Sequence, residues 1–214
     1  MSVAAVVVAG GRGERFGGPK QFAVLGHDSV SARSVRAARS VASPVVLVVP
    51  DGYEGDGEGA DVIVTGGASR AASVRAGLAH CGGPEIVVVH DAARPLASRA
   101  LFESVVEAVR DGADGAVPGL AITDTVKRVE HDGSAMVIGA TVSRDALMTV
   151  QTPQAFRFDL LVKAHAGGDD ATDDAALVER LGARVVVVAG ETSNVKITEA
   201  GDLGRMNSLE RGAS

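Results

Sequence analysis

The sequence predicts an α/β fold in which helices flank a mostly parallel sheet. Apolar runs of strand length alternate along the chain with amphipathic helical stretches, the pattern typical of parallel strands joined by helices. Hydrophobic residues make up 46% of the 214 residues and aromatic residues only 3%, so small aliphatic side chains must fill the core. This composition is typical of parallel strands that are buried on both faces.

Charge and cysteine content exclude several classes of protein. The formal net charge of −6 provides no general attraction to nucleic acid or to a membrane surface, so we expect neither as a partner. Cys81 is the single cysteine, which excludes an internal disulfide and a multi-cysteine metal site. No apolar run has the length of a membrane span, and Met1 to Val8 lacks the features of a secretion signal. We therefore expect a cytoplasmic protein.

The first predicted strand, Val3 to Val8, leads into a glycine-rich loop with three cations. Glycines allow backbone N–H groups to approach a ligand closely, and the cations add positive charge around an anion. The glycines are Gly10, Gly11 and Gly13, and the cations are Arg12, Arg15 and Lys20. We predict a nucleoside triphosphate site, although a tight strand-to-helix turn would explain the glycines alone.

Two common phosphate-binding loops do not match this stretch. Phe16 stands where the dinucleotide fingerprint requires a third glycine, and no acidic residue follows at the offset that would hold a ribose. Pro19 separates Gly18 from Lys20, and Gln21 follows where a P-loop requires serine or threonine. The sequence therefore argues against both NAD binding and a P-loop NTPase.

A helix and a second strand follow the loop. Asp28 or Ser29 can cap the helix, which must end before Pro44. Val45 to Val49 is a second buried strand, and the glycine- and acid-rich segment up to Gly59 is predicted to be a surface loop.

The third strand, Asp61 to Val64, repeats the opening design. Gly66 and Gly67 follow it, and a helix begins near Arg70 with Ser73 one turn inside. Backbone donors at this helix N-terminus offer a second place to meet a ligand. Taken by itself, the segment is better explained as a loop with a helix cap.

The fourth strand, Glu85 to Val89, ends in a charged cluster at the edge of the sheet where ligands bind in open α/β folds. Asp91 is placed to hold the divalent cation of a magnesium nucleotide, and Arg94 could meet a second phosphate. The alternative is an Asp91–Arg94 ion pair with Pro95 starting a helix. His90 is interpreted as structural, because the five histidines lack metal-ligand spacing.

The pattern then changes from alternating helices and strands to a β-hairpin. A helix over Ser98 to Arg110 and a strand over Gly115 to Val117 precede it. Leu120 to Thr141 contains two strand-like runs around the turn signal Asp132-Gly133, and Ser143-Arg144 closes the arm. A two-stranded arm cannot bury both faces within its own chain, so we expect it to pack on a second copy.

The last third of the chain contains a connector, two helices and a strand. Gln151 to Phe156 is predicted to be a proline-containing connector, and Thr172 or Asp173 to cap the second helix. Arg184 to Val188 is predicted to be a strand, and Asn194 to Thr198 a short strand-like segment that carries a lysine. No internal repeat or linker divides the chain, so we expect one domain with its arm.

Taken in order from about Val3 to Leu209, these residues resemble the 2-C-methyl-D-erythritol 4-phosphate cytidylyltransferase family. Each motif alone is weakly specific, but their ordered combination is highly specific. The motifs are Ala9-Gly10-Gly11-x-Gly13-x-Arg15, Pro19-Lys20, Gly66-Gly67-x-x-Arg70, His90-Asp91-Ala92-Ala93-Arg94-Pro95, Asp124-Thr125-x-Lys127, Arg144, Thr152-Pro153-Gln154, Thr172-Asp173 and Asn194-Val195-Lys196.

The resemblance implies a Rossmann-like nucleotidyltransferase domain over residues 1–214, with 120–143 as an arm for dimerisation and substrate binding. It implies a homodimeric enzyme that joins CTP to 2-C-methyl-D-erythritol 4-phosphate with Mg²⁺ and releases pyrophosphate. The product, 4-diphosphocytidyl-2-C-methyl-D-erythritol, belongs to isoprenoid precursor biosynthesis by the non-mevalonate pathway. A second catalytic domain of that pathway is not expected, since only a short tail follows Leu209.

The resemblance also assigns roles to individual residues. The nucleotide would be bound by Ala9, Gly10, Gly11, Gly13, Arg15, Lys20, Gly67, Ala68, Ser73 and Asp91, of which Asp91 would bind the metal. The second substrate would be bound by Arg94, Thr125, Arg144, Thr172 and Lys196, with Thr125 and Arg144 lent by the partner's arm. The catalytic residues would be Arg15, Lys20, Arg144 and Lys196.

This inventory suits the implied chemistry, because the attacking phosphate oxygen is already ionised at neutral pH. The reaction needs positive charge and backbone donors around the α-phosphorus and no side chain that removes a proton. The lack of a convincing Ser-His-Asp or Cys-His arrangement is therefore expected.

Two alternatives stay open at this point. Ribitol-5-phosphate cytidylyltransferases share the Ala9-Gly10-Gly11 spelling, although Lys127 and Ala92-Ala93-Arg94 resemble the methylerythritol enzymes more closely. A nucleotide-binding regulator could keep the fold without turnover, but it would have little use for four cations together, namely Arg15, Lys20, Arg144 and Lys196.

Overall fold

The computed structural model describes residues 1–11, 13 and 16–212, with side chains up to residue 207. The strands are β1 (Val3–Val8), β2 (Val24–Leu25), β3 (Asp28–Ser29), β4 (Val45–Val49), β5 (Val62–Thr65), β6 (Ile86–Asp91), β7 (Gly115–Ala121), β8 (Val126–Asp132), β9 (Ala135–Val142), β10 (Met148–Val150), β11 (Gln154–Arg157) and β12 (Val185–Ala189). The helices are α1 (Val30–Arg39), α2 (Arg70–Leu78), α3 (Arg99–Arg110), α4 (Phe158–His165), α5 (Asp174–Glu179) and α6 (Ala200–Gly212), and Lys20–Phe22 forms a 3-10 turn.

Eight strands form one mixed sheet. Its order is β10-β7-β11-β6-β1-β4-β5, and β12 pairs with β7. The pairs of β1 with β4 and β6, of β4 with β5 and of β12 with β7 are parallel, whereas β10 and β11 run antiparallel to their neighbours. The predicted α/β class with a mostly parallel sheet is confirmed.

The strand order reverses between β1 and β6. From β1 the chain proceeds through β4 to β5 on one side, and then crosses back to β6 on the other side of β1. The two strands are in register from Val3 opposite Ile86 to Val8 opposite Asp91. Connections that leave neighbouring strands in opposite directions open a crevice at their carboxyl ends. The glycine loop after β1 and Asp91 at the end of β6 therefore share one crevice.

Helices cover both faces of this sheet. Val35 of α1 and Phe102 of α3 pack on one face, and Val74 of α2, Leu161 of α4 and Val178 of α5 pack on the other. Each of α1, α2 and α3 begins at a serine whose side-chain oxygen accepts the N–H three residues later. These serines are Ser29, Ser69 and Ser98. Of the two predicted caps for α1, Ser29 is the one used.

Two predicted elements differ from the structure. The expected connector at Gln151 to Phe156 is wrong in its second half, because Gln154–Arg157 is a strand between β6 and β7. Phe156 and its neighbours are buried there, but four residues after a proline carry too short a pattern to indicate a strand. The segment from Asn194 to Thr198 is a loop, in which the Ile197 N–H donates to Ala93 O at 2.8 Å.

The predicted arm is present as a hairpin. β8 and β9 form a two-stranded sheet of their own, and the turn at Gly133 and Ser134 follows Asp132, where the Asp132-Gly133 signal predicted it. Val129, Met136 and Ile138 on these strands are exposed. Every helix in the described part of the chain is too short or too polar to span a bilayer.

Candidate active site

A cavity of about 490 Å³ opens at the carboxyl ends of β1 and β6, which is the size range of small-molecule sites. Two glycine loops, one carboxylate and several cations surround it. Its described lining residues are Val8, Ala9, Gly10, Gly11, Gly13, Lys20, Gln21, Gly67, Ala68, Ser69, Arg70, Ser73, Asp91, Ala93, Lys196 and Thr198. The structure thus gathers every described residue predicted to bind the nucleotide, together with Lys196.

The first glycine loop depends on Gly13. Its φ is +65°, and its carbonyl accepts the N–H groups of Phe16, Gly17 and Gly18 at 2.9 to 3.2 Å. A Cβ at position 13 would lie 1.8 Å from the Gly18 carbonyl oxygen. Only glycine fits this curled backbone. Arg12 and Arg15, the other two cations predicted for this loop, lie outside the described residues.

Gln21 holds the same loop from behind. Its side-chain Nε2 donates to the carbonyls of Ala9 at 2.7 Å and Gly11 at 2.9 Å, and the residue is only 3% exposed. In a trans peptide the carbonyl and the following N–H point in opposite directions, so the Gly10 N–H is turned away from Gln21. The sequence did not predict that Gln21 supports the loop. Its position after Lys20 indicated only that the loop is not a P-loop.

The two glycine loops meet at Ser73. Its Oγ accepts the Gly67 N–H at 3.2 Å and donates to Ser69 O at 3.0 Å. A Cβ at Gly66 would lie 2.7 Å from this oxygen and one at Gly10 would lie 3.3 Å from it. Position 66 therefore requires glycine, because any side chain would overlap Ser73. The two glycine loops, which are similar in sequence, lie next to each other around Ser73.

Lys20 lies on the 3-10 turn that follows the first loop. Its Nζ donates to Ile197 O at 2.6 Å, which brings Lys20 beside the loop that carries Lys196. Phe22, at the end of this turn, stacks on Tyr53 with ring centroids 4.9 Å apart. The surface loop that contains Tyr53 therefore supports the turn that presents Lys20.

Asp91 is the central charge of the cavity. Its Oδ1 accepts Arg70 Nε at 3.0 Å, and its Oδ2 accepts Lys196 Nζ at 2.6 Å. Burial by itself would raise the pKa of Asp91, but the charges of Arg70 and Lys196 hold this pKa well below its ordinary value. The alternative Asp91–Arg94 pair is wrong, since the Arg94 guanidinium donates instead to Asn194 O at 2.8 Å.

The cavity offers a metal ion one protein carboxylate. Asp91 is the single acid among the described lining residues, and nowhere in the described part of the chain do three acidic, histidine or cysteine side chains gather as metal ligands. Mg²⁺ is commonly held by one or two carboxylates together with substrate phosphates and waters. The residues present therefore fit a metal that binds with a nucleotide.

Four residues predicted to bind the second substrate do not line the cavity within this chain. Arg94 is half-buried behind it, and Thr172 is exposed just before α5, which Asp173 caps. Thr125 and Arg144 are exposed at the base of the arm, where Arg144 donates to Thr123 O. That Thr125 and Arg144 serve a partner's cavity stays a prediction.

His90 supports the cavity from inside the core. Its ring is within hydrogen-bond distance of Arg94 O and Thr152 Oγ1, both at 3.2 Å, and it packs on Phe102. Burial is the main cause that lowers the pKa of His90 to about 4.

We expect acid to destabilise the protein through His90. An unfolded histidine has a pKa of about 6.5, so between pH 6.5 and 4 the unfolded chain binds a proton that the folded chain does not. The contribution of neutral His90 is therefore complete above pH 6.5 and is lost progressively as the pH falls towards 4. Urea unfolding at a series of pH values should show this slope. A His90→Asn variant should flatten it, and an unchanged slope would contradict the assignment.

Comparison with known proteins gives one consistent result. The family model for "IspD: 2-C-methyl-D-erythritol 4-phosphate cytidylyltransferase" matches residues 3–209. The chain is 44% identical over 220 residues to the 2-C-methyl-D-erythritol 4-phosphate cytidylyltransferase of Streptomyces avermitilis, with 94% of this chain and 88% of that protein covered. A crystal structure of the Thermus thermophilus protein of the same name superposes with a TM-score of 0.82 at 38% identity and covers 99% of this chain and 98% of that one.

Several relatives are longer proteins. The chain is 47% identical over 221 residues to a bifunctional enzyme IspD/IspF of Anaeromyxobacter, and the match covers 97% of this chain and 57% of the relative. The chain thus spans little more than half the length of these bifunctional relatives.

Proposed function

Because the chain belongs to the 2-C-methyl-D-erythritol 4-phosphate cytidylyltransferase family of CTP-dependent nucleotidyltransferases, we propose that it condenses CTP with 2-C-methyl-D-erythritol 4-phosphate. The products are 4-diphosphocytidyl-2-C-methyl-D-erythritol and pyrophosphate, in isoprenoid precursor biosynthesis. The observation that carries the proposal is the convergence of the glycine loops, Lys20, Asp91 and Lys196 on one cavity.

Two groups of residues would hold CTP. Gly67, Ala68 and Ser73, with the backbone of the first glycine loop, would hold the cytidine portion. Lys20 would stabilise negative charge on the triphosphate, and Arg15 has the same proposed role. The fold holds the glycine-loop backbone and Lys20 in place before the substrate binds, and such preorganised donors and charges lower a barrier.

The reaction is a displacement at phosphorus. A phosphate oxygen of the second substrate forms a bond to the α-phosphorus of CTP, the bond from that phosphorus to the bridging oxygen breaks, and pyrophosphate leaves with the electron pair. No side chain needs to remove a proton, because the nucleophilic oxygen is ionised at neutral pH. Lys196, with Arg144 of a partner's arm, would orient this phosphate in line with the leaving group.

Asp91 would hold Mg²⁺ together with phosphate oxygens, and the bound ion would supply positive charge to the triphosphate and the leaving pyrophosphate. Both oxygens of Asp91 are bonded to cationic side chains in the structure. Lys196 must therefore exchange Asp91 for a phosphate group when substrates bind.

We further propose that residues 1–214 form one nucleotidyltransferase domain that assembles into a homodimer through residues 120–143. The hairpin β8–β9 pairs only with itself among the described strands and exposes Met136 and Ile138, and a second copy would cover such a surface. Cys81 is buried and unpaired, which suits the reducing conditions of the cytoplasm.

Pyrophosphate release tests the proposed reaction. The purified protein receives CTP and Mg²⁺ with either 2-C-methyl-D-erythritol 4-phosphate or ribitol 5-phosphate. We expect release with the methylerythritol substrate alone. A preference for ribitol 5-phosphate would assign the protein the sister activity, and CTP binding without release in either case would support a regulator.

A further inference from the structure

We propose that Arg70 is a positioning residue that holds Asp91 in place while Lys196 transfers to the substrate. This inference rests on the proposed function, since it concerns the same cavity. Arg70 belongs to one of the sequence motifs but has no role assigned to it so far. The inference gives a role to Arg70 and to the buried residues Asp174 and His165 that hold it.

Arg70 bridges two carboxylates. Its Nε donates to Asp91 Oδ1 at 3.0 Å, and its Nη1 donates to Asp174 Oδ2 at 2.7 Å. The Asp174 side chain is 1% exposed, and its other oxygen lies 2.9 Å from Nε2 of the equally buried His165. Asp174 and His165 do not line the cavity. The Arg70 guanidinium is therefore anchored to the protein interior through Nη1 and binds Asp91 through Nε.

The two cations on Asp91 differ in how firmly they are held. The Arg70 side chain is 23% exposed and stands at the first turn of α2, which packs on the sheet. The Lys196 side chain is 41% exposed and belongs to a loop outside the sheet. A lysine is a point charge on a flexible stem, whereas a bridging guanidinium is bound in a fixed geometry. Lys196 is thus the partner that can leave.

Whether Lys196 can leave Asp91 depends on Arg70, because Asp91 needs a compensating positive charge. A buried carboxylate left without any cation is strongly unfavourable. With Arg70 present, Asp91 keeps a partner when Lys196 turns to a phosphate. Without Arg70, Lys196 is the sole cationic side chain on Asp91 among the described residues and is held there more strongly. Loss of Arg70 should therefore slow turnover more than it weakens CTP binding.

The test compares Arg70→Gln and Asp174→Asn with Arg75→Gln as the matched control. Arg75 lies on the same helix, and its Nη1 donates to Asp169 O at the exposed surface. We expect kcat for pyrophosphate release to fall by about 10- to 100-fold in Arg70→Gln, the usual effect of losing a residue that orients a ligand. Asp174→Asn should show a smaller loss, Arg70→Lys should recover part of the rate, and Arg75→Gln should match the unchanged protein.

A binding measurement separates positioning from folding. Calorimetric titration with CTP, with and without Mg²⁺, gives the stoichiometry of intact sites and the factor by which Mg²⁺ strengthens binding. We expect full stoichiometry in Arg70→Gln and a reduced Mg²⁺ factor, because Asp91 is less well placed. A kcat and a Mg²⁺ factor equal to those of Arg75→Gln would overturn the inference, and so would a rate loss that only follows lost stoichiometry. If the unchanged protein binds CTP without releasing pyrophosphate, the proposed function fails, while the Mg²⁺ factor still decides the role of Arg70.

Discussion

Replacing Lys20 with methionine should lower kcat for pyrophosphate release by about 10²- to 10³-fold, the usual cost of removing one group that stabilises transition-state charge. Lys20 lines the cavity, and its Nζ lies 2.6 Å from the carbonyl oxygen of Ile197. Ile197 directly follows Lys196, the second lysine of the cavity. Negative charge on the triphosphate increases as the bridging bond breaks, so a cation fixed here acts mainly on the transition state. Methionine keeps an unbranched side chain and removes the charge.

The measurement is steady-state pyrophosphate release over a range of CTP concentrations. Lys163→Met is the matched control, since Lys163 is exposed on α4 and does not line the cavity. We expect the control to keep the full rate and Lys20→Met to retain measurable CTP binding. An unchanged rate in Lys20→Met would remove Lys20 from the proposed mechanism. A regulator would instead keep its response to CTP in this variant.

The parts of the site that the sequence could predict are those with local patterns. A valine run followed by glycines indicates a strand and a close-approach loop, and the parallel-sheet rule then places Asp91 beside that loop. Gly67 and Ser73 follow from the same pattern after the third predicted strand. In each case a short stretch of chain contains both the element and the reason for its position.

The parts that could not be predicted depend on residues distant in sequence. The Arg70–Asp174 pair joins positions 104 apart, and nothing near either residue indicates the other. In the sequence, Asp174 is simply the residue after a helix cap, and His165 is one residue of an amphipathic helix. Neither position indicates a partner for Arg70. Gln21 lies close to the loop, but its role requires the 3-10 turn to point its amide back at the Ala9 and Gly11 carbonyls. The antiparallel strand β11 likewise depends on two partners that precede it in the chain.

Replacing Gly13 with alanine should weaken CTP binding by about 10- to 100-fold, at about 1.4 kcal/mol for each factor of ten. A non-glycine residue in the left-handed region costs about 1–2 kcal/mol, and Gly13 has a φ of +65°. The new Cβ would also lie 1.8 Å from the Gly18 carbonyl oxygen. Since that oxygen accepts the Lys20 N–H at 2.8 Å, relief of the overlap must also move Lys20. Both the loop that meets the nucleotide and the cation beside it are therefore displaced.

Gly18→Ala is the matched control for this effect. A Cβ at Gly18 meets no atom within 4 Å, and its φ lies outside the left-handed region, so the same added methyl group is accommodated. Calorimetric titration with CTP should show near-normal affinity for Gly18→Ala and weakened affinity for Gly13→Ala, with thermal unfolding of both variants confirming intact folds. Equal affinities would mean that the curl at Gly13 is not the conformation that binds the nucleotide. Because the strain is local to the loop, we expect Gly13→Ala to lower the unfolding temperature only slightly while it weakens CTP binding strongly.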